Sequence, residues 1–90
     1  MENKSIEKNL NEIEIYSVVV VTEDYRIEST HVTLDRGKAL IKAYDMYYKS
    51  QPCQPCYNVF IDTWREDVVV KTEYIDSNGK VVVRYENYNV

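Results

Sequence analysis

Glycine and proline are scarce in this chain, two of each in ninety residues. With only Gly37 and Gly79, no glycine-rich loop is present to cradle a phosphate. Histidine occurs once, as His31, and cysteine twice, as Cys53 and Cys56. No nucleophile–base motif accompanies that histidine, and one chain does not supply four obvious zinc ligands. Positive charge is in deficit, with eleven Lys and Arg against fifteen Asp and Glu and a net charge of −4. Nucleic-acid phosphates reward a basic surface through counterion release, so this balance argues against direct nucleic-acid binding and suits a protein partner. The chain has no run of about 18 apolar residues, the length a membrane span requires. The polar stretch Met1–Leu10 lacks the apolar centre of a signal peptide, and the expected location is cytoplasmic.

Tyrosine is abundant, nine of ninety residues, beside one Trp and one Phe. Its amphipathic ring suits strands and thin cores, and it suits protein interfaces equally well. Composition leaves both uses open. A chain of this length folds as one domain that buries about 60–65% of its unfolded surface. A metal, a disulfide or a second chain would add stability to so small a core.

One stretch, residues 35–49, carries a sustained helical period. Leu40, Ala43, Tyr44 and Tyr47 recur at the spacing of one helical face, and Ile41 and Tyr48 are expected to widen it. Lys38, Lys42, Asp45 and Lys49 fill the remainder. Thr33 or Asp35 is placed to cap the start, and Gln51-Pro52 ends the helix because proline disfavours it at the preceding residue. Residues 1–12 form a flexible or short-helical N-terminal segment, with Ile6, Leu10 and Ile13 at helical spacing. Residues 13–90 form the single domain.

Strands are expected at 13–22, 25–32, 57–64, 68–75 and 80–88. They are separated by turns at Glu23-Asp24, Arg65-Glu66-Asp67 and Asp76-Ser77-Asn78-Gly79. Asn78-Gly79 between valine-rich runs is the strongest hairpin signal. The order ββαβββ describes an α+β domain, a mostly antiparallel sheet packed on one helix at about residues 35–50. One helix covers one sheet face, yet the runs Val18–Val21, Val68–Val70 and Val81–Val83 place valine on both. The second face is covered either by the N-terminal segment with edge tyrosines or by another molecule, a homodimer partner or a target.

Cys53-Gln54-Pro55-Cys56 has the spacing of half a structural zinc site, which His31 plus a carboxylate, or the pair from a second chain, would complete. A disulfide or redox role is the second reading, although the pair follows a helix instead of opening one. The third is a pair of small reduced residues in a proline-rich connector. No other cofactor is implied. The acid pairs Glu23-Asp24 and Glu66-Asp67 fall at hairpin tips, where solvation explains them better than acid–base catalysis, and an enzyme is not expected. Tyr48 and Trp64 are the candidate partner-binding aromatics. Glu23, Asp24, Glu66 and Asp67 would form an acidic rim beside them if the two tips share one edge.

Short length, acidic balance, richness in Asn, Lys, Glu and Tyr, and one helix on a hairpin-rich sheet together resemble small proteins of phages and mobile elements of low-GC bacteria. Anti-CRISPR and other anti-defence inhibitors belong to that type. The resemblance implies a non-enzymatic module that binds a host protein through an acidic, tyrosine-rich surface. The alternative is a homodimeric structural protein stabilised by zinc or a disulfide at Cys53 and Cys56.

Overall fold

The computed structural model describes residues 13–22, 26–50 and 58–89. Five strands, β1 (Glu14–Val21), β2 (Ile27–Thr33), β3 (Asn58–Arg65), β4 (Val68–Ile75) and β5 (Val81–Glu86), form one antiparallel sheet in the order β2-β1-β3-β4-β5. The one helix among the described residues, α1 (Arg36–Ser50), links β2 to β3. Those two strands flank β1, and both pair antiparallel to it. The chain therefore leaves the β2 edge, passes over β1 as the helix, and re-enters on its far side. The expected α+β domain of order ββαβββ is the one found.

Side-chain alternation sorts each strand into two faces. Tyr16, Val18 and Val20 of β1 lie opposite Thr63, Ile61 and Val59 of β3, and all six are buried beneath α1. The helix contributes Ala39, Ala43 and Tyr47, with Leu40, Tyr44 and Met46 packed at its margins. Ala39 and Ala43 are wholly buried, and their small side chains let the helix backbone sit close to the sheet. The expected widening of this stripe by Ile41 and Tyr48 is not observed. Both face solvent, at 72% and 61% exposure, because the buried stripe is centred on Ala39, Ala43 and Tyr47 with Met46 at its margin, which places Ile41 and Tyr48 far round the helix.

Asp35 caps the helix: its carboxylate accepts the Lys38 N–H at 3.1 Å, and its own N–H donates to Thr33 Oγ1 at 3.1 Å. Both expected capping residues thus act in series. One residue later, Arg36 reaches across to β4 and grips Glu73 with two parallel hydrogen bonds of 2.7 and 2.8 Å. Glu73 is almost fully buried, and Lys71 Nζ approaches it at 3.9 Å. The hydrogen bonds from Arg36 hold the Glu73 carboxyl below its usual range, against the burial that would raise it. At the other end of the helix, the Tyr47 hydroxyl donates to the Asp76 carbonyl at 2.9 Å.

The turns explain the register. At the β4–β5 turn, Gly79 N–H donates to Asp76 O, and Asp76 N–H donates to Lys80 O. Gly79 has φ +77°, while Asn78 is not in the left-handed region. This is the three-residue hairpin, a type I turn closed by a left-handed glycine, rather than the two-residue form favoured for Asn-Gly. The Asp76 carboxylate selects it by accepting the N–H groups of both Asn78 and Lys80 at 2.9 Å.

Two stability outcomes are expected. Thr63 Oγ1 is buried without a hydrogen-bond partner among the described residues. Thr63→Val should therefore raise the unfolding free energy by about 1 kcal/mol. A urea melt with a higher midpoint and unchanged slope would show it, and a lower midpoint would refute it. The depressed Glu73 carboxyl binds fewer protons in the folded than in the unfolded state, so its contribution is complete above the ordinary carboxylate range and is lost as pH falls through the folded value. Glu73→Gln should cost on the order of 2 kcal/mol at neutral pH, less than for a fully buried pair because Arg36 is partly solvated. The gap between wild type and variant should close as pH falls from about 6 to about 3 in acid-dependent denaturant melts. A constant gap would show that the pair's charge is not what stabilises the fold.

Candidate protein-contact surface

Among the described residues, no helix lies on the second face of the sheet. The same alternation that buries Val18, Val20 and Ile61 points Ile15, Ser17, Val19 and Val21 of β1 the other way, beside Phe60, Asp62 and Trp64 of β3. Ile27 and Val32 extend this face on β2, at 66% and 60% exposure, and Tyr74 and Tyr85 extend it toward β5. The surface is largely apolar, with Ser17, Thr30, Asn58 and Asp62 among the polar residues that line it. Two open grooves cross it, of about 630 and 530 Å³. The first is lined by Val21, Ile27, Phe60, Tyr74 and Arg84, the second by Ile15, Val19, Val32, Asp62, Trp64 and Glu66.

The few polar groups on this face are held in place. Trp64 Nε1 donates to Ser17 Oγ at 3.0 Å, which pins the indole across β1. Thr72 Oγ1 donates to the Asp62 carboxylate at 2.8 Å. The Arg84 guanidinium lies 5.5 Å from the centre of the Phe60 ring, a cation–π distance. Phe60 and Tyr74 meet with their ring centres 6.5 Å apart.

The expected site residues do not form one surface. Trp64 belongs to the helix-free face. Tyr48 lies on the helix, across the sheet from it, with its ring stacked on Tyr44 at 6.2 Å and edge-on to Tyr47 at 5.2 Å. It stands beside the β4–β5 turn, where its hydroxyl limits the space at Gly79. Glu66 and Asp67 are exposed at the β3–β4 turn, with Glu66 at φ +54° and reaching the second groove. Glu23, Asp24, Cys53 and Cys56 lie outside the described residues. The β3–β4 turn that carries Glu66 and Asp67 lies at the Glu14 end of β1, since Arg65 pairs with Glu14. The acidic character is reduced by pairing, since Glu14 meets Arg65 at 3.0 Å and Glu86 meets Lys71 at 3.7 Å.

His31 is exposed on edge strand β2, opposite Val18. Among the described residues, no three His, Cys, Asp or Glu side chains gather where they could hold a metal ion. Burial raises the Tyr16 hydroxyl pKa, helped by its 3.0 Å hydrogen bond to Glu14. That hydroxyl donates into a structural pair rather than into a groove. Sequence reasoning found Trp64 but missed Phe60, Asp62 and Arg84. The signal for the first two was present, because Phe60, Asp62 and Trp64 alternate with the buried Val59, Ile61 and Thr63.

No helix among the described residues is long and apolar enough to cross a membrane. No protein-family model, no curated protein and no solved structure matches this chain.

Proposed function

We propose that this protein is a non-enzymatic protein-binding module whose contact surface is the helix-free face of its sheet. One observation carries the reading: a five-stranded sheet presents an apolar face that α1 does not cover, with Ile27 and Val32 largely exposed on it. Patches of this kind usually mark interaction sites. Trp64 and Phe60, held by Ser17 and Arg84, have the character of interface anchors, being aromatic, ordered and central. The resemblance to anti-defence proteins of mobile elements agrees with a role in binding and inhibiting a host protein. The surface doing so is then apolar and aromatic rather than acidic, and Tyr48 lies outside it.

The test compares two single-site variants of opposite location, Val19→Lys on the helix-free face and Ile41→Lys on the outer side of the helix. Each is immobilised, as is wild type, and challenged with a lysate of a low-GC bacterial host and with the purified chain itself. A stoichiometric partner should be retained by wild type and by Ile41→Lys, and lost by Val19→Lys. A partner that survives Val19→Lys, or the absence of any stoichiometric partner, would overturn the assignment of this face.

A further inference from the structure

We infer that the partner of the helix-free face is a second copy of this chain, joined face to face about a two-fold axis; the inference rests on that face being the contact surface. Charge placement is the first argument. Among the described residues that line its grooves, the face carries an exposed cation, Arg84, toward the Val21 end of β1, and an exposed anion, Glu66, toward the Glu14 end. Among the described residues Arg84 has no carboxylate partner and Glu66 has no cationic one. A two-fold axis lying across the strands lays the Val21 end of one sheet on the Glu14 end of the other. Arg84 of each copy then meets Glu66 of the other, twice per dimer, as an isologous interface requires. The rest of the face is mostly apolar, and its Asp62 carboxylate already accepts a hydrogen bond from Thr72 within the sheet.

Area is the second argument. Five strands spaced about 4.8 Å apart, each about seven residues long, give a face of roughly 24 by 23 Å. Allowing for side-chain relief, that approaches the roughly 800 Å² per partner of a standard stable interface. Sheets pack face to face at about 10 Å through side chains of the kind found here.

The sheet edges are the competing route to self-association, and both are blunted. The β1–β2 ladder slips register between Val20 and Val21, and the β4–β5 ladder slips between Thr72 and Glu73, where Arg84 becomes the extra residue. Bulges bend an edge strand away from any neighbour that would extend the sheet. The same bulge accompanies the placement of the Arg84 guanidinium over Phe60.

Trp64, the only tryptophan, lies on the proposed interface and reports on it directly. The experiment measures native mass and acrylamide quenching of Trp64 across a dilution series, for wild type, Arg84→Glu, Glu66→Arg, the double variant, and a mixture of the two single variants. Circular dichroism melts confirm that each is folded. The expected result is a dimer with shielded Trp64. Each single variant should weaken it by roughly tenfold or more, and the double variant or the mixture should restore it. A dimer indifferent to both single variants would overturn this interface. A monomer with freely quenched Trp64 would overturn self-association yet leave the face open to a different protein. A monomer with shielded Trp64 would overturn the contact surface itself, since the chain's own residues would already cover it.

Discussion

One helix cannot cover five strands. An α-helix with its side chains is about 10–12 Å across, whereas the sheet is roughly 24 Å wide. The fully closed core is consequently confined to the strip beneath α1, where β1 and β3 supply Tyr16, Val18, Val20, Val59 and Ile61. β4 reaches this core through Ile75, and β5 only through the partly buried Val81. Val83 and Tyr85, farther along β5, are exposed. The width mismatch also determines where the helix must be tied down. Ala39 and Ala43 bring it close to the sheet, and the Arg36–Glu73 and Tyr47–Asp76 hydrogen bonds fasten its two ends to the β4 side. A buried ion pair is a weak source of net stability but a strong constraint on geometry, because removing either member strands a charge. Here it fixes which strand the first turn of the helix faces.

The fold was legible because its two periods are clean. Alternating strands and a single 3.6-residue stretch produced the element order, and each expected element is present with ends shifted by at most two residues. The errors have local physical causes. Ile41 and Tyr48 were assigned to the buried stripe by hydrophobicity, but the stripe centres on the small Ala39 and Ala43, which rotates both of them to the solvent side. Asn78-Gly79 carried the correct hairpin signal, while the actual loop was chosen by the Asp76 side chain two residues earlier. Glu66 occupies a left-handed position where glycine or asparagine is the usual choice, so composition gave no warning of it.

The candidate site was legible only in part, since a surface is a property of strand order and register. Valine on both faces implied a second apolar face beside the helix-covered one, and Trp64 lies on that second face. A shared acidic rim was not legible in the sequence, because neighbouring charges say nothing about which end of a sheet each turn occupies. β1 is central and pairs with β3 across its full length, which sends the β3–β4 turn to the end opposite Val21. Arg84 shares strand parity with Val82, whose partner Tyr74 pairs with Phe60, so it belongs to the open face, and its guanidinium lies over Phe60.

The polar groups of the open face bear on what kind of surface it is. A face exposed by default, with nothing to recognise, has no need of fixed side chains. Here the indole of Trp64 is tied to Ser17, the carboxylate of Asp62 to Thr72, and the guanidinium of Arg84 is laid on Phe60. Each of these contacts removes rotamer freedom before any partner arrives, which lowers the entropic cost of association. Each also satisfies a polar group that a partner would otherwise bury unpaired. Ser17 and Asp62 sit side by side in the β1–β3 register, at the middle of the face and among apolar neighbours. Their hydrogen bonds run within the sheet, leaving the surrounding hydrophobic side chains as the outermost atoms. Sheet alternation together with these internal bonds makes the face both apolar and preorganised, and those are the two properties a contact surface requires.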